Sequence, residues 1–385
     1  MNSIVKGLEG LEVDDTEICL VDGTAGQLSY RGQLIDTLVE RPFVDVVSLV
    51  VGDETSTLAE ELRTAGALTE HDVTLLCAAE ASGAHPMHIL IGLTPLLGVG
   101  ADGRISFERF SGAAVGFRVA AKLPALIAGL LRLRAGKPMI DYPINEPDFN
   151  TRFLIQAGTA EPSDLLRQAF NVTQILQIEH SFNASTFTAR VIASTLADVQ
   201  NSLAGGFAAL HGPLHGGADQ AALEMADEVG DPAVAAAFVD RCLEEGRKIM
   251  GMGHREYKVL DPRARFVKDL ARDLSSGTEP ESTFATLEAI EARFRERMLE
   301  KGKSLYANLE FYKGVVYRAA GLPAEFFTAT FAMARVFGYL AHFMESRVDN
   351  RLIRPAARYT GPMPTNDDQA TSRITPARVE SQLAP

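Results

Sequence analysis

Along most of the chain, apolar residues return at intervals of three and four, and the interruptions fall on glycine or proline. That period marks helices with one buried face. The stretch "PSDLLRQAFNVTQILQI" (162–178) opens on a Pro-Ser-Asp start signal and keeps an apolar stripe, which predicts a capped helix. "FATLEAIEARFRERMLE" (284–300) interleaves its apolar face with many charges and predicts an exposed amphipathic helix. "PAEFFTATFAMARVFGYLAHFME" (323–345) is apolar nearly all round and predicts a buried one. Only "TEICLVDGTAGQLSYRG" (16–32) reads differently, as two short strands around a glycine-containing turn. The segment beyond "TGPMPTNDDQ" is polar and proline-bearing, and is expected to be disordered. The sequence shows no internal repeat. The expected class is mainly α, with a small N-terminal β-hairpin.

With 385 residues the chain is long enough for two domains, or for one large domain with an insertion. An excess of 50 acidic over 37 basic residues gives a formal charge of −13, which argues against nucleic acid as a partner. A local basic pocket for a small anion remains compatible with that balance. Cys19, Cys77 and Cys242 are too widely spaced for a disulfide framework or a metal motif. The N-terminus carries no long apolar stretch, so no signal peptide is expected. The longest apolar runs, such as "LPALIAGLL" (123–131), are about half a membrane span and are bounded by charges. These features lead us to expect a soluble protein of a reducing compartment, the cytoplasm, with no membrane association.

Several short segments could carry chemistry. In "GPLHGGADQ" (212–220), His215 stands between glycines, where the backbone can bend and a substrate can come close. His211 lies four residues earlier, a metal-like spacing, but Pro213 and the glycines speak against a continuous helix, and we expect no metal. Taken alone, His215 reads equally well as a helix-capping histidine or as a catalytic one. "GMGHREYKVLDPRAR" (251–265) sets Gly251 and Gly253 beside His254, Arg255, Lys258, Arg263 and Arg265. Glycine loops followed by dense basic residues suit phosphate or carboxylate, although a solvated helix start has the same composition. Arg335 lies inside the apolar 323–345 run, where an unpaired charge is costly. It needs either an internal ion pair or a ligand carboxylate, which a guanidinium fork binds with two parallel bonds. His180 sits at a break between helical patterns, followed by Asn183, Ser185 and Thr186. "RLIRPAARY" (351–359) groups Arg351, Arg354 and Arg358, and "YANLEFYKG" (306–314) holds a lone carboxylate, Glu310, among small and apolar residues.

Taken in order, "GPLHGGADQ", "GHREYKVLDPRA" and "LIRPAARYTGP" resemble the citrate synthases, particularly the short bacterial and archaeal type. The match runs from "GLEGLEVDDTEICLVDGTAGQLSYRG" to "RLIRPAARYTGP", leaving only the extreme ends outside. The resemblance implies a mainly α homodimer in which a small domain closes over the substrates. On this reading residues 1–217 and 316–365 form the large domain, 218–315 the small domain, and 366–385 a disordered tail. It implies a Claisen-type condensation in the tricarboxylic acid cycle: the acetyl-CoA methyl loses a proton, the enol attacks the ketone of oxaloacetate, and the citryl thioester is hydrolysed. Acetyl-CoA is a co-substrate, and no further cofactor is implied.

Roles follow by position in the motifs. His215 falls on the histidine that stabilises the enol at the thioester oxygen, and His254 on the one that polarises the ketone and protonates the new alkoxide. Glu310 falls on the carboxylate that removes the methyl proton. His180, Arg263 and Arg335 fall on oxaloacetate ligands, and Arg354 on the arginine contributed by the partner subunit. Lys301 and Lys303 fall near lysines that contact coenzyme A phosphates, and the "IMGMG" loop with Gly251 and Gly253 would lie near the adenine. The chain departs from the common pattern at Glu310 (usually Asp), Leu309 (Val), Lys313 (Ser), Gln177 (His), Ser181 (Glu) and His88 (Asp). Two other readings therefore stand beside citrate synthase: a 2-methylcitrate or longer alkylcitrate synthase, and a weakly catalytic paralogue that binds acyl-CoA or a dicarboxylate.

Overall fold

The computed structural model describes residues 4–97, 107–110 and 112–363, so the expected tail lies outside the described residues. The chain divides into two compact units, Met1–Leu352 and Ile353–Pro385. Among the described residues the first unit holds sixteen α-helices and one three-stranded antiparallel sheet. The mainly α class expected from the apolar period is therefore what forms. The expected hairpin is strands β1 (Cys19–Asp22) and β2 (Gln27–Tyr30), paired Cys19 to Tyr30 and Asp22 to Gln27. A two-residue third strand, β3 (Gln33–Leu34), was not foreseen and pairs with the end of β2.

The three helices read from periodicity are present with shifted ends. Asp164–Ile175 is capped by Ser163, whose side chain accepts from the Leu166 N–H. Glu281–Glu300 begins three residues before the predicted pattern. Phe327–Val348 follows a 3-10 turn at Ala324–Phe326 and is buried from Phe327 to Phe343, as an all-round apolar helix must be. The 123–131 run proves to be part of a longer helix, Ala114–Arg134. That helix is long and apolar enough to cross a membrane, but 83% of its apolar window is buried inside the protein. It packs on Phe327–Val348 and on Phe149–Ala157 as a core helix.

The core helix Phe327–Val348 also packs on Ala184–Ser194 and Val199–Leu210. The breaks between these helices hold the candidate residues. His180 lies between Asp164–Ile175 and Ala184–Ser194, where Ser181 takes a left-handed φ of 52° to turn the chain. His215 lies between Val199–Leu210 and Ala218–Val229. Residues 218–319 contribute five helices, of which Ala218–Val229, Ala264–Ser275 and Glu281–Glu300 all pack on Leu309–Ala319.

Candidate active site

Glu310 is placed by a loop-to-loop contact. Gly251 and Gly253 have φ of +77° and +83°, a region that glycine enters without strain. A Cβ on Gly251 would fall 2.9 Å from the Phe311 ring, so close approach also requires glycine there. The glycine loop then pairs with the strand-like stretch before the next helix: Gly253 N donates to Tyr306 O at 2.8 Å, and Asn308 N to Gly251 O at 2.9 Å. Asn308 caps the Leu309–Ala319 helix by accepting from Glu310 N, and its Nδ2 donates to Gly253 O. Glu310 is thereby fixed in the first helical turn.

His254 follows the glycines. Its Nδ1 accepts from the backbone N–H groups of Glu256 and Tyr257, at 3.1 and 3.3 Å. The ring proton of the neutral side chain is therefore on Nε2. Burial first, then the Arg263 charge, pushes His254 down to about 4, so it is neutral at pH 7. Arg263 Nη2 lies 3.4 Å from that Nε2. Two donors held this close converge on a position suited to one substrate oxygen. Asp261 engages Arg263 through both carboxylate oxygens, at 3.0 and 2.8 Å, and also accepts from Leu309 N. One buried aspartate thus ties the arginine to the helix that bears Glu310.

His180 completes this side. Its Nε2 is 3.1 Å from Tyr257 Oη, and its ring centroid is 5.2 Å from that of His254. Burial first, then the charges of Arg263 and Arg335, holds it well below the ordinary histidine range. Arg335 is 2% exposed, and among the described residues it forms no ion pair with a carboxylate. Its Nε donates to Gln177 O at 2.6 Å, its guanidinium lies over the Phe331 ring, and its Nη1 is buried with no partner. Of the two expectations for Arg335, the one with a ligand anion fits this unpaired donor.

His215 turns away from His211. Its Nε2 lies 2.7 Å from Ser185 Oγ, which is also 2.7 Å from Asn183 Oδ1. The one hydroxyl proton of Ser185 goes to Asn183 Oδ1, so Ser185 Oγ accepts from His215 Nε2–H and the Nδ1 edge of the ring is left as an acceptor in this structure. Burial, then Arg335 and Lys313, pushes His215 down to about 4. His211 instead packs its ring against His85 and His88, at 4.7 and 5.0 Å between centroids. Among the described residues no group of three or more His, Cys, Asp or Glu is placed to hold a metal ion.

A pocket of about 210 Å³ opens beside His254, lined by Gly253, Tyr257, Asp261 and the 304–308 stretch. Lys301 and Lys303 are exposed just before that stretch. Arg354 belongs to the second unit, where it is exposed and without regular secondary structure.

The sequence reading missed Tyr257 and Asp261, which hold His180 and Arg263, and Asp219, which lies on the Ala218–Val229 helix. Asp219 and Asp261 stood in the quoted motifs, but neither has a position that marks burial. Lys313 was visible only as a departure. Three departures meet at its ammonium: Nζ donates to Gln177 Oε1 at 2.8 Å and pairs with Glu310, as well as with Asp219 at 3.0 Å.

The depressed histidines give the first prediction. Unfolded histidine titrates near 6.5. Between about pH 6.5 and 4 the unfolded chain therefore binds protons that folded His180, His215 and His254 refuse. Their contribution to stability is fully present above that window and is lost as the pH falls through it. Asp219, raised to about 6 by burial and by the Glu310 charge, acts in the opposite sense as one group against three. Calorimetry is expected to show Tm level above pH 6.5 and falling toward pH 4.5, with a shallower fall in His254→Asn. A level Tm down to pH 4.5 contradicts the burial of these rings.

Imidazoles, arginines and a carboxylate are thus brought together between the helices of a mainly α protein. The family described as citrate synthase, C-terminal domain, matches residues 7–356. The citrate synthase of Synechocystis sp. is 36% identical over 369 residues, covering 94% of this chain and 92% of its own. A 2-methylcitrate synthase of Shewanella oneidensis is 33% identical, covering 93% of this chain and 95% of its own. Among solved structures, the citrate synthase of the thermophilic archaeon Thermoplasma acidophilum superposes with a TM-score of 0.85 at 27% identity, covering 95% of this chain and 98% of its own. That structure is a ternary complex with carboxymethyl coenzyme A and oxaloacetate. The chain belongs to the citrate synthase family. It is an acyltransferase that condenses acetyl-CoA with oxaloacetate.

Proposed function

We propose that this condensation runs on Glu310, His215 and His254, with oxaloacetate held by His180, Arg263 and Arg335. The observation that carries the assignment is the convergence of one buried and two half-buried neutral imidazoles on two buried arginines, one of which keeps an Nη1 with no hydrogen-bond partner among the described residues. A dianionic ketoacid calls for such forks, and His254 Nε2–H beside Arg263 suits its ketone oxygen. A thioester methyl is a very weak carbon acid, so a base must act together with a donor at the developing enolate oxygen. Glu310 supplies the base and His215 the donor. After carbon–carbon bond formation, His254 returns a proton to the alkoxide, and water hydrolyses the citryl thioester. No metal or prosthetic group takes part in this scheme.

On the same reading, residues 218–315 close over the bound substrates and expel water, which strengthens each contact and protects the intermediate. The helices of this segment pack on one another, as a body that moves together must. Lys301, Lys303 and the glycines 251 and 253 take the coenzyme A. The enzyme works as a homodimer in which Arg354 crosses to the partner's site. Its three cysteines are free thiols, which suits the reducing cytoplasm.

The test is thiol release with oxaloacetate and a panel of acyl-CoAs. Release with acetyl-CoA at the highest kcat/KM is expected. A higher value with propionyl-CoA or a longer acyl-CoA turns the reading to a 2-methylcitrate or alkylcitrate synthase. No release with any thioester turns it to a binding paralogue.

A further inference from the structure

Lys313 is a completely buried ammonium one helical turn after Glu310. Burying a lysine is costly, and the chain surrounds this one with specific partners. Nζ donates to Gln177 Oε1, pairs with Asp219 Oδ2 at 3.0 Å and with Glu310 Oε2, and sits 4.2 Å from the Phe331 ring centre. Gln177 is held in turn, since its Nε2 donates to Thr173 O and to Tyr317 Oη, at 2.8 and 2.9 Å. Asp219 is also fully buried and accepts from Gln220 N. The lysine is thus fixed from two sides that do not include Glu310.

Two consequences follow for the carboxylate. Its Oε2 is buried against the ammonium, which folds the long glutamate side chain back along its own helix and leaves Oε1 to meet a substrate. With Glu310 as its only counter-ion, Lys313 would become an unpaired buried cation each time Glu310 took up a proton. Asp219 removes that obstacle, because the ammonium keeps one carboxylate in both states of Glu310. We propose that Lys313, anchored by Asp219 and Gln177, is the positioning residue that presents Glu310 Oε1 to the methyl proton of the acyl-CoA. This rests on the assignment of Glu310 as the base. The methyl C–H bond breaks, its electron pair passes into the enolate, and its proton goes to Oε1 while Lys313 stays protonated.

The experiment uses the full-length enzyme with Lys313→Met and Asp219→Asn combined, which removes one charge of each sign from the interior. A misplacement near 1 Å can cost about a hundredfold, so kcat is expected to fall roughly ten- to a hundredfold with KM for oxaloacetate and Tm nearly unchanged. Turnover of trideuteroacetyl-CoA should show a full primary isotope effect on kcat, because methyl proton removal has become the slow step. Asp219→Asn alone, which keeps the lysine, should give the same split between kcat and KM and covers a failure of the double variant to fold. An unchanged or faster kcat in either folded variant overturns the inference, as does a fall in kcat with an isotope effect close to one. The base assignment fails separately, when Glu310→Gln keeps its turnover.

Discussion

Glu310→Gln is expected to lower condensation by about 10²–10⁴-fold, the usual worth of a positioned general base, while oxaloacetate binds almost as before. The carboxylate is assigned to the methyl, and the ketoacid ligands lie on other elements: His180 before the Ala184–Ser194 helix, Arg263 at the start of Ala264–Ser275, and Arg335 in the core helix. Intrinsic basicity neither explains nor forbids a glutamate here, because free Asp and Glu carboxyls differ by about 0.4 unit, roughly 0.5 kcal/mol. Reach decides. One additional C–C bond is about 1.5 Å, enough to misplace a carboxylate in a site shaped for aspartate. The Lys313 contact folds the longer side chain back, which is the compensation such a site needs. Glu310→Asp should therefore be slower than the parent, because the shorter side chain loses contact with either the lysine or the substrate. Steady-state thiol release and calorimetric oxaloacetate binding measure both variants. Near-full turnover in Glu310→Gln removes Glu310 as the base, and a strong acceleration in Glu310→Asp marks the glutamate as a handicap.

The second large effect concerns Arg354. On the proposal that Arg354 serves the partner's site, Arg354→Ala should be inactive, like His254→Ala. Mixed dimers of the two inactive chains should regain about half of the parent activity, since a two-fold dimer then holds one site with His254 from one chain and Arg354 from the other. The readout is thiol release from heterodimers purified with two different affinity tags. Absence of recovery in verified heterodimers places Arg354 in its own chain's site, or in none.

The apolar period alone determined the class, the buried character of the Phe327–Val348 helix and the position of the hairpin, because burial on one face dictates which residues recur. It misjudged extent where a charge lies inside a helix: Lys122 is buried in Ala114–Arg134, paired with Asp72, so a charge that looked like a boundary was interior. The motifs supplied candidate residues through resemblance, and the contacts among those residues came from the fold. Asp261 bonding to Leu309, forty-eight positions away, and Lys313 bonding to Gln177, one hundred and thirty-six away, join segments that no local pattern connects. The i,i+3 spacing of Glu310 and Lys313 was legible in the sequence, and from it an ordinary surface ion pair of little consequence would be expected. Only the tertiary structure decided otherwise, by burying the ammonium beside Asp219, where water cannot screen the charges and each must find its partner inside the protein.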